Sequence, residues 1–298
     1  MLRDGESENT LDREQSKIRY GLYVPNFGKA CNPQTLVHLA SEAEACGWDG
    51  FFLWDSISGE DRRLPTVDAF TTLAAMAVNT KRIRLGTTVT ALARLRPWKV
   101  ARETATIDHL SNGRLTLGVG LGFPPDQEFS RFGEDPNNKV RAAKLDEALE
   151  ILAGLWNGKP FAYRGTHFTI KRTQFLPPSK QRPRIPIWVG GFWPHRGPFK
   201  RAAKWDGVLP LHTPNPIRPS PADLRNILSY IRNHRTVGTQ LDAVIIGWGT
   251  GKDERKNEKK IRPYVEAGMT WWLESLFGTT NSLEMMRKRI RIGPPRLS

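Results

Sequence analysis

The stretch TKRIRLGTTVTALARLRPWKVARETATIDHLSNGRLTLGVGLG, residues 80–122, decides the fold class of this 298-residue chain. Its first part, Ile83–Val89, is short, apolar and β-branched, which predicts a buried strand. A helix is predicted from Pro97, which suits a first helical turn, to Gly113, which accepts the left-handed conformation of a helix end. Arg114–Gly120 predicts a second buried strand. Strand, helix and strand in this order form a βαβ unit, from which parallel sheets are built.

The same alternation of strand and helix continues on both sides of this unit. Two strands are predicted before it, at Ile18–Val24 and Gly50–Trp54, with helices after Asn32 and across Asp68–Val78. After it we predict a long helix and four further strand–helix pairs. The long helix is Lys139–Trp156, and the strands are Pro186–Val189, Asp206–Leu211, Ala243–Trp248 and Thr270–Leu276. The first of the four paired helices ends near Ala203, and the other three are Pro221–His234, Lys259–Ala267 and Leu283–Ile290.

About eight strand–helix pairs in one chain predict an α/β fold, a single (β/α)8 TIM barrel over residues 18–298. A doubly wound open sheet shows the same alternation and is the alternative. Against it, no G-x-G-x-x-G follows the first strand, where a dinucleotide-binding fold would place one. Residues 1–17 are polar and predict a flexible tail. Residues 158–185 do not fit the alternation, and predict an insertion after the fourth helix with a hairpin that could serve as a lid.

The composition is ordinary for a globular protein except in its charge. The chain is 39% hydrophobic, has no apolar run long enough to span a membrane and has no signal-peptide core. Two cysteines without metal-binding spacing favour a reducing, cytoplasmic location. The formal net charge is +15, and residues 171–204 hold nine Lys and Arg and no acid. Because no zinc-finger or RNP-type motif is visible, an anionic cofactor or substrate explains this cluster better than nucleic acid as the main partner.

The active site of a TIM barrel lies at the C-terminal ends of its strands, and this rule selects candidate residues here. As a group they are rich in Gly, Trp and Phe and poor in paired acids, nucleophile–base pairs and metal ligands. That composition favours a slot for a flat cofactor ring over a hydrolytic or metal centre. No catalytic residue is assigned; His212 and Glu274 are the titratable candidates, and each could instead be a structural residue with a partner. The candidates are Asn26, Asp55, Thr88, Val89, Arg94, Gly120 to Phe123, Gly190 to Trp193, His212, Trp248 and Glu274.

Five segments resemble the bacterial luciferase-like family of flavin-dependent oxidoreductases, and especially its coenzyme F420-dependent branch. They are Tyr20–Gly28, Gly47–Ser56, Leu85–Gly122, Ile185–Pro194 and Arg201–Leu211. The resemblance implies a (β/α)8 barrel that holds F420 or FMN at its C-terminal mouth. It also implies a non-prolyl cis peptide at Thr88-Val89 behind the cofactor ring. The cofactor contacts it implies are Asp55, Thr88, Val89, Gly120, Leu121, Gly122, Gly190, Gly191 and Phe192.

The resemblance further implies an oxidoreductase that acts on a small organic substrate, by hydride transfer with F420 or by monooxygenation with FMN. The motifs favour F420, and the basic segment 171–204 would suit its acidic tail, but a basic solvated surface explains this segment almost as well. Some F420-dependent dehydrogenases carry a His and a Glu where this chain has Ser56 and Phe123, so sugar-phosphate dehydrogenase chemistry is not expected. A flavin-binding protein without turnover is the alternative from another class. The family often forms homodimers, so the resemblance allows a homodimer but does not decide the oligomeric state.

Overall fold

The computed structural model describes residues 18–58, 64–213, 217–277 and 282–297. The strands are β1 (Arg19–Val24), β2 (Gly50–Asp55), β3 (Arg84–Ala91), β4 (Leu115–Gly120), β5 (Phe161–Arg164), β6 (Thr169–Thr173), β7 (Ile187–Trp193), β8 (Gly207–His212), β9 (Asp242–Gly247) and β10 (Trp271–Ser275). The helices are α1 (Pro33–Ala45), α2 (Ala69–Asn79), α3 (Pro97–Leu110), α4 (Pro125–Glu128), α5 (Asn138–Trp156), α6 (Arg196–Ala202), α7 (Pro221–His234), α8 (Glu254–Glu266) and α9 (Leu283–Arg291).

Eight parallel strands close into a barrel in the order β1-β10-β9-β8-β7-β4-β3-β2, and helices alternate with them along the chain. The predicted (β/α)8 fold is confirmed. The doubly wound alternative is wrong, because β1 pairs with both β2 and β10 and so leaves no open edge. The predicted tail at residues 1–17 lies outside the described residues. No helix in the described part of the chain has both the length and the apolar character needed to cross a bilayer.

Large aromatic rings fill the barrel interior. The ring centroid of Phe52 lies 4.9 Å from that of Trp188 and 5.6 Å from that of Trp271. The centroids of Trp188 and Trp271 are 5.4 Å apart. A Cβ on Gly50 would lie 2.4 Å from the Phe52 ring, and one on Gly207 would lie 2.3 Å from the Trp188 ring. Since interiors are close-packed, rings of this size need glycine at the neighbouring inward positions.

The βαβ unit that decides the fold forms as predicted, with one irregularity in its first strand. Pro97 lies in the first turn of α3, and Gly113, with φ of 84°, follows its end. β3 runs two residues beyond the predicted Val89, and its pairing with β4 shifts between Thr87 and Thr90. The Thr88–Val89 peptide bond lies in this stretch and is cis, as the resemblance implied.

Residues 158–185 contain an antiparallel hairpin of β5 and β6. The carboxylate of Glu147 on α5 accepts hydrogen bonds from the backbone N–H groups of residues 166–168. Phe168 packs edge-on against Trp98 in the first turn of α3, with ring centroids 6.2 Å apart. These contacts pack the hairpin against α3 and α5, and its role as a lid stays a prediction.

Candidate active site

Val89, near the C-terminal end of β3, has its side chain against Gly120 of β4 and Gly190 of β7. A Cβ on Gly120 would lie 2.7 Å from Val89 Cγ2, and a Cβ on Gly190 would lie 2.9 Å from Val89 Cγ1. Both distances are below 3.0 Å, a separation that real Cβ atoms essentially never show. Only glycine therefore fits on either side of this valine. We call Gly120, Val89 and Gly190 the Val89 platform.

A buried ionic cluster of Asp55, Arg94 and Glu128 lies beside the ends of β2 and β3. Arg94 Nη2 donates to the carbonyl oxygen of Asp55 at 2.6 Å and pairs with its Oδ1 at 3.2 Å. Arg94 Nε donates to Glu128 Oε2 at 3.1 Å, and Ser56 Oγ donates to Glu128 Oε1 at 3.0 Å. The three charged side chains are 6, 10 and 5% exposed for Arg94, Asp55 and Glu128. Burial lowers the pKa of Arg94, but the two carboxylates outweigh it and raise that pKa overall.

Several buried polar atoms at this end of the barrel have no hydrogen-bond partner. Among the described residues there are eight such side-chain atoms, and four of them belong to the ends of β2 and β3. An unpaired buried polar group costs about 1–3 kcal/mol. A bound molecule that pairs with these atoms would remove that cost. The four are Trp54 Nε1, Asp55 Oδ2, Thr88 Oγ1 and Thr90 Oγ1.

The loop after β4 is held by the buried guanidinium of Arg141. Arg141 is 2% exposed, and its Nη1 donates to the carbonyl oxygens of Leu121 and Gly122 at 2.6 and 2.8 Å. Burial lowers the pKa of Arg141. Gly122 has φ of 81°, a conformation that glycine adopts without strain. The loop thereby presents Phe123, which is 73% exposed and lies edge-on to Phe192 with ring centroids 5.7 Å apart.

Glu274 does not face the mouth. Its neighbour Leu273 packs in the barrel interior, so strand alternation places Trp272 and Glu274 on the outer side. The Glu274 carboxylate accepts hydrogen bonds from the Thr250 backbone N–H, the Thr250 hydroxyl and the Trp272 indole at 3.0, 2.8 and 3.0 Å. It also pairs with Arg289 Nε at 3.3 Å. The geometry therefore favours a structural link between β10 and α9 over acid–base catalysis.

His212 and Gly191 lie at strand ends but point away from the Val89 platform. Leu211 packs towards the barrel interior, so His212 leaves β8 on the opposite face. The backbone N–H of His212 donates to Ile217 O at 2.8 Å, while its buried Nδ1 has no partner among the described residues. A Cβ on Gly191 would lie 2.1 Å from Pro198 Cβ on α6, so this glycine faces the helix layer. A ligand in the mouth could therefore contact Gly191 only through its backbone.

Sequence reasoning missed three residues that build the mouth: Thr90, Glu128 and Arg141. Glu128 and its partner Ser56 are separated by 72 positions in the chain. No local pattern signals such a pair, since only the closure of the barrel brings β2 and the loop after β4 together. Asn26 was selected as a mouth residue, and its amide donates to the carbonyl oxygens of Ser56 and Val67, which ties two mouth loops together.

Comparison with known sequences finds one family. A profile of the luciferase-like monooxygenase family matches residues 15–211. An F420-dependent glucose-6-phosphate dehydrogenase of Amycolatopsis mediterranei is 30% identical over 179 residues, which cover 59% of this chain and 52% of that enzyme. The chain spans about half the length of the curated relatives it matches.

Comparison with solved structures finds the same barrel in enzymes that use either F420 or FMN. An F420-dependent secondary alcohol dehydrogenase in complex with an F420–acetone adduct has a TM-score of 0.74 at 18% identity, over 92% of this chain and 97% of that one. The oxygenating constituent of 3,6-diketocamphane monooxygenase of Pseudomonas putida, in complex with FMN, has a TM-score of 0.64 at 16% identity, over 82 and 70%. At these identities the likeness shows the fold alone.

Proposed function

The chain belongs to the luciferase-like monooxygenase family, and from this premise we propose that it is a flavin-dependent oxidoreductase. It holds F420 or FMN at the barrel mouth and acts on a small organic substrate, by hydride transfer or by monooxygenation. The similar glucose-6-phosphate dehydrogenase and the alcohol dehydrogenase structure, both F420-dependent by name, support F420 as the first choice. The FMN-bound monooxygenase structure supports FMN as the second.

The observation that carries the proposal is the Val89 platform. It is an apolar surface in which the two Cγ atoms of Val89 lie against Gly120 and Gly190, and a planar ring can stack on it. Beside it, Asp55 Oδ2 offers an unpaired acceptor, and the hydroxyls of Thr88 and Thr90 can donate or accept. A flavin or deazaflavin has an apolar face and a polar edge, so this set of groups fits such a ring.

In the mechanism, the bound cofactor supplies the redox chemistry, as a hydride carrier or as an oxygen-activating ring. The protein's residues bind and orient. Arg94 contacts both Oδ1 and the carbonyl oxygen of Asp55, which leaves Oδ2 as one acceptor at a fixed position. The Ser56 hydroxyl is committed to Glu128 and does not serve as a base. The rings of Phe123 and Phe192 add an apolar surface next to the platform.

Parallel titration of the purified protein with F420 and FMN tests the proposal. We expect binding of F420, and weaker binding of FMN. Asp55→Asn should weaken cofactor binding about tenfold, since it changes a buried acceptor. The matched control is Asp126→Asn, an exposed acid on α4, which should bind as the wild type does. Thermal melting of each variant shows that it is folded. A protein that binds neither cofactor would contradict the proposed function.

A second candidate is a flavin-binding protein without turnover. What favours it is that the acids at the mouth, Asp55 and Glu128, are both paired with Arg94 rather than free for proton transfer. Oxidation of F420H2 and FMNH2 over a panel of ketone and quinone acceptors distinguishes the two candidates. Cofactor binding with no oxidation above the protein-free rate on any acceptor would select the second candidate.

We further propose that the protein is cytoplasmic, forms a homodimer, and has a small-molecule rather than a nucleic-acid partner. Cys31, which is buried, and Cys46, which is half-buried, are free thiols, as suits a reducing compartment. The homodimer rests on the resemblance to the family. Light scattering after size exclusion measures the mass of the particle, and a monomeric mass at micromolar concentration would contradict this assembly.

A further inference from the structure

Large apolar side chains are exposed just beyond the ends of five barrel strands. Single exposed apolar residues are common on proteins, whereas apolar side chains that contact one another in a contiguous patch mark a binding surface. This arrangement is the more notable in a chain with a formal net charge of +15. The residues and their exposed fractions are Ile57 (44%), Phe123 (73%), Ile217 (49%), Trp248 (45%) and Phe277 (42%).

Phe123 is the most exposed of these side chains, and the loop that carries it is fixed. Arg141 binds the two carbonyl groups just before Phe123, and its guanidinium lies 4.8 Å from the centre of the Phe129 ring. A Cβ on Gly122 would lie 2.8 Å from Phe129, so the loop packs tightly at that point. The protein therefore holds Phe123 out in solvent instead of letting it fold back. Preorganisation of this kind lowers the entropy cost of binding a ligand.

Phe192 connects this exposed ring to the Val89 platform. Trp188 packs in the barrel interior, and Gly190 faces Val89, so alternation along β7 places Phe192 on the same inner face. Phe192 is half-buried and meets Phe123 edge-on at 5.7 Å and 63°. The two rings form one apolar wall that begins at the platform and ends in solvent.

The charged groups of the buried cluster near this wall are paired with one another, and Asp55 Oδ2 keeps no partner among the described residues. Arg94, the buried cation at the mouth, pairs with two carboxylates, and Ser56 donates to one of these. From the aromatic wall and this closed ionic cluster we infer that the substrate is an uncharged, ring-bearing apolar molecule. It binds against Phe123 and Phe192, and sugar phosphates are not substrates. This inference rests on the proposed function, since it names the substrate class of the same site.

Acetylnaphthalene, an uncharged aromatic ketone, is the probe, and glucose 6-phosphate is the charged comparison. Both are titrated into wild-type protein with and without its bound cofactor. We expect the ketone to bind and the sugar phosphate not to bind. Phe123→Ala should weaken ketone binding about tenfold, equivalent to about 1.4 kcal/mol. Phe132→Ala is the matched control, because Phe132 is 50% exposed on the neighbouring turn, and it should leave the affinity unchanged.

Three outcomes overturn the inference: tighter binding of glucose 6-phosphate than of the ketone, no ketone binding, or equal ketone affinity in the wild type and Phe123→Ala. Phe123→Leu keeps an apolar side chain and controls for misfolding of the alanine variant. Its affinity for the ketone should fall between those of the wild type and Phe123→Ala. Cofactor affinity is measured on the same samples. If the cofactor binds normally and the ketone affinity is unchanged in Phe123→Ala, only the inference is wrong. If no cofactor binds, the proposed function is wrong. The titration of cofactor-free protein decides the inference in either case.

Discussion

At the scale of single residues, Val89 determines which residue types fit at positions 120 and 190. Its two Cγ atoms lie where a Cβ on Gly120 or Gly190 would have to be. A closely packed site of this kind cannot accept an added carbon without displacing a neighbour. The two glycines are therefore required by the packing of the mouth, whatever ligand it binds.

Gly120→Ala should destabilise the protein, because its new Cβ would meet Val89 Cγ2 at 2.7 Å. Overpacking of a core typically costs about 1–3 kcal/mol, and we expect a loss of this size in the free energy of unfolding. Displacement of Val89 should also weaken cofactor binding. Urea denaturation measures the first effect, and cofactor titration measures the second.

Two further variants control this experiment. The double variant Gly120→Ala with Val89→Ala removes the Cγ atoms and should regain part of the lost stability. A Cβ on Gly197 of α6 meets no heavy atom within 4 Å, so Gly197→Ala should cost nothing. Equal losses in Gly120→Ala and Gly197→Ala, or no recovery in the double variant, would show that Val89 is not the obstacle.

Sequence reasoning located most mouth residues but not the directions of their side chains. It placed Asp55, Val89 and Gly120 at strand ends, where the structure has them. It could not tell that Glu274 points outward, because one residue of register decides the face of a strand. The pairing of Arg94 with Glu128 joins residues 34 positions apart, and only tertiary structure creates it.

At the scale of elements, the carboxylate of Glu44 on α1 fixes the connection between α2 and β3. It accepts hydrogen bonds from three consecutive backbone N–H groups, those of Lys81, Arg82 and Ile83. The bond from Lys81 is 3.0 Å long and the bond from Ile83 is 2.8 Å long. Burial alone would raise the pKa of Glu44, but these donors outweigh it and lower that pKa below its ordinary value of 4.5.

Glu44→Gln should therefore lower stability in a pH-dependent way. A carboxylate with a lowered native pKa contributes its full stabilisation above pH 4.5 and loses it as the pH falls through the native pKa. We expect the free energy of unfolding of Glu44→Gln to be about 1 kcal/mol lower than that of the wild type at neutral pH, and this difference to shrink below pH 4. Urea denaturation across this pH range measures it. Glu103→Gln is the control, since the exposed Lys99 is its ion-pair partner among the described residues. A difference in stability between the wild type and Glu44→Gln that does not change with pH would contradict the assignment.

The positions of the elements were predicted well, and their ends less well. α8 begins at Glu254, five residues before the predicted Lys259, because Asp253 caps it through its side chain. β7 continues four residues past Val189 to Trp193, through Gly190 and Gly191. Pairing with β8 holds these residues in the sheet, and pairing partners cannot be deduced from one strand.

At the scale of the whole molecule, the alternation of elements, together with the absence of G-x-G-x-x-G after the first strand, predicted a closed barrel. Closure then brings the ends of β2, β3, β4 and β7 into one mouth, although these strands are spread over residues 50–193. The same closure builds the ionic cluster and the aromatic wall, whose members come from different loops. Barrel topology thus explains why the location of the site was predictable while its internal pairing was not.

The excess of positive charge should make the stability of the whole molecule depend on salt. The chain carries 45 Lys and Arg against 30 Asp and Glu, so like charges repel across its surface in the folded state. The screening length falls from about 30 Å at 0.01 M salt to about 8 Å at 0.15 M. Added sodium chloride should therefore raise the melting temperature at neutral pH. Buried pairs such as Arg94 with Asp55 are screened much less, so they should not reverse this trend. Calorimetry at several chloride concentrations measures the effect, and a melting temperature that falls with added salt would mean that attractive surface pairs outweigh the net repulsion.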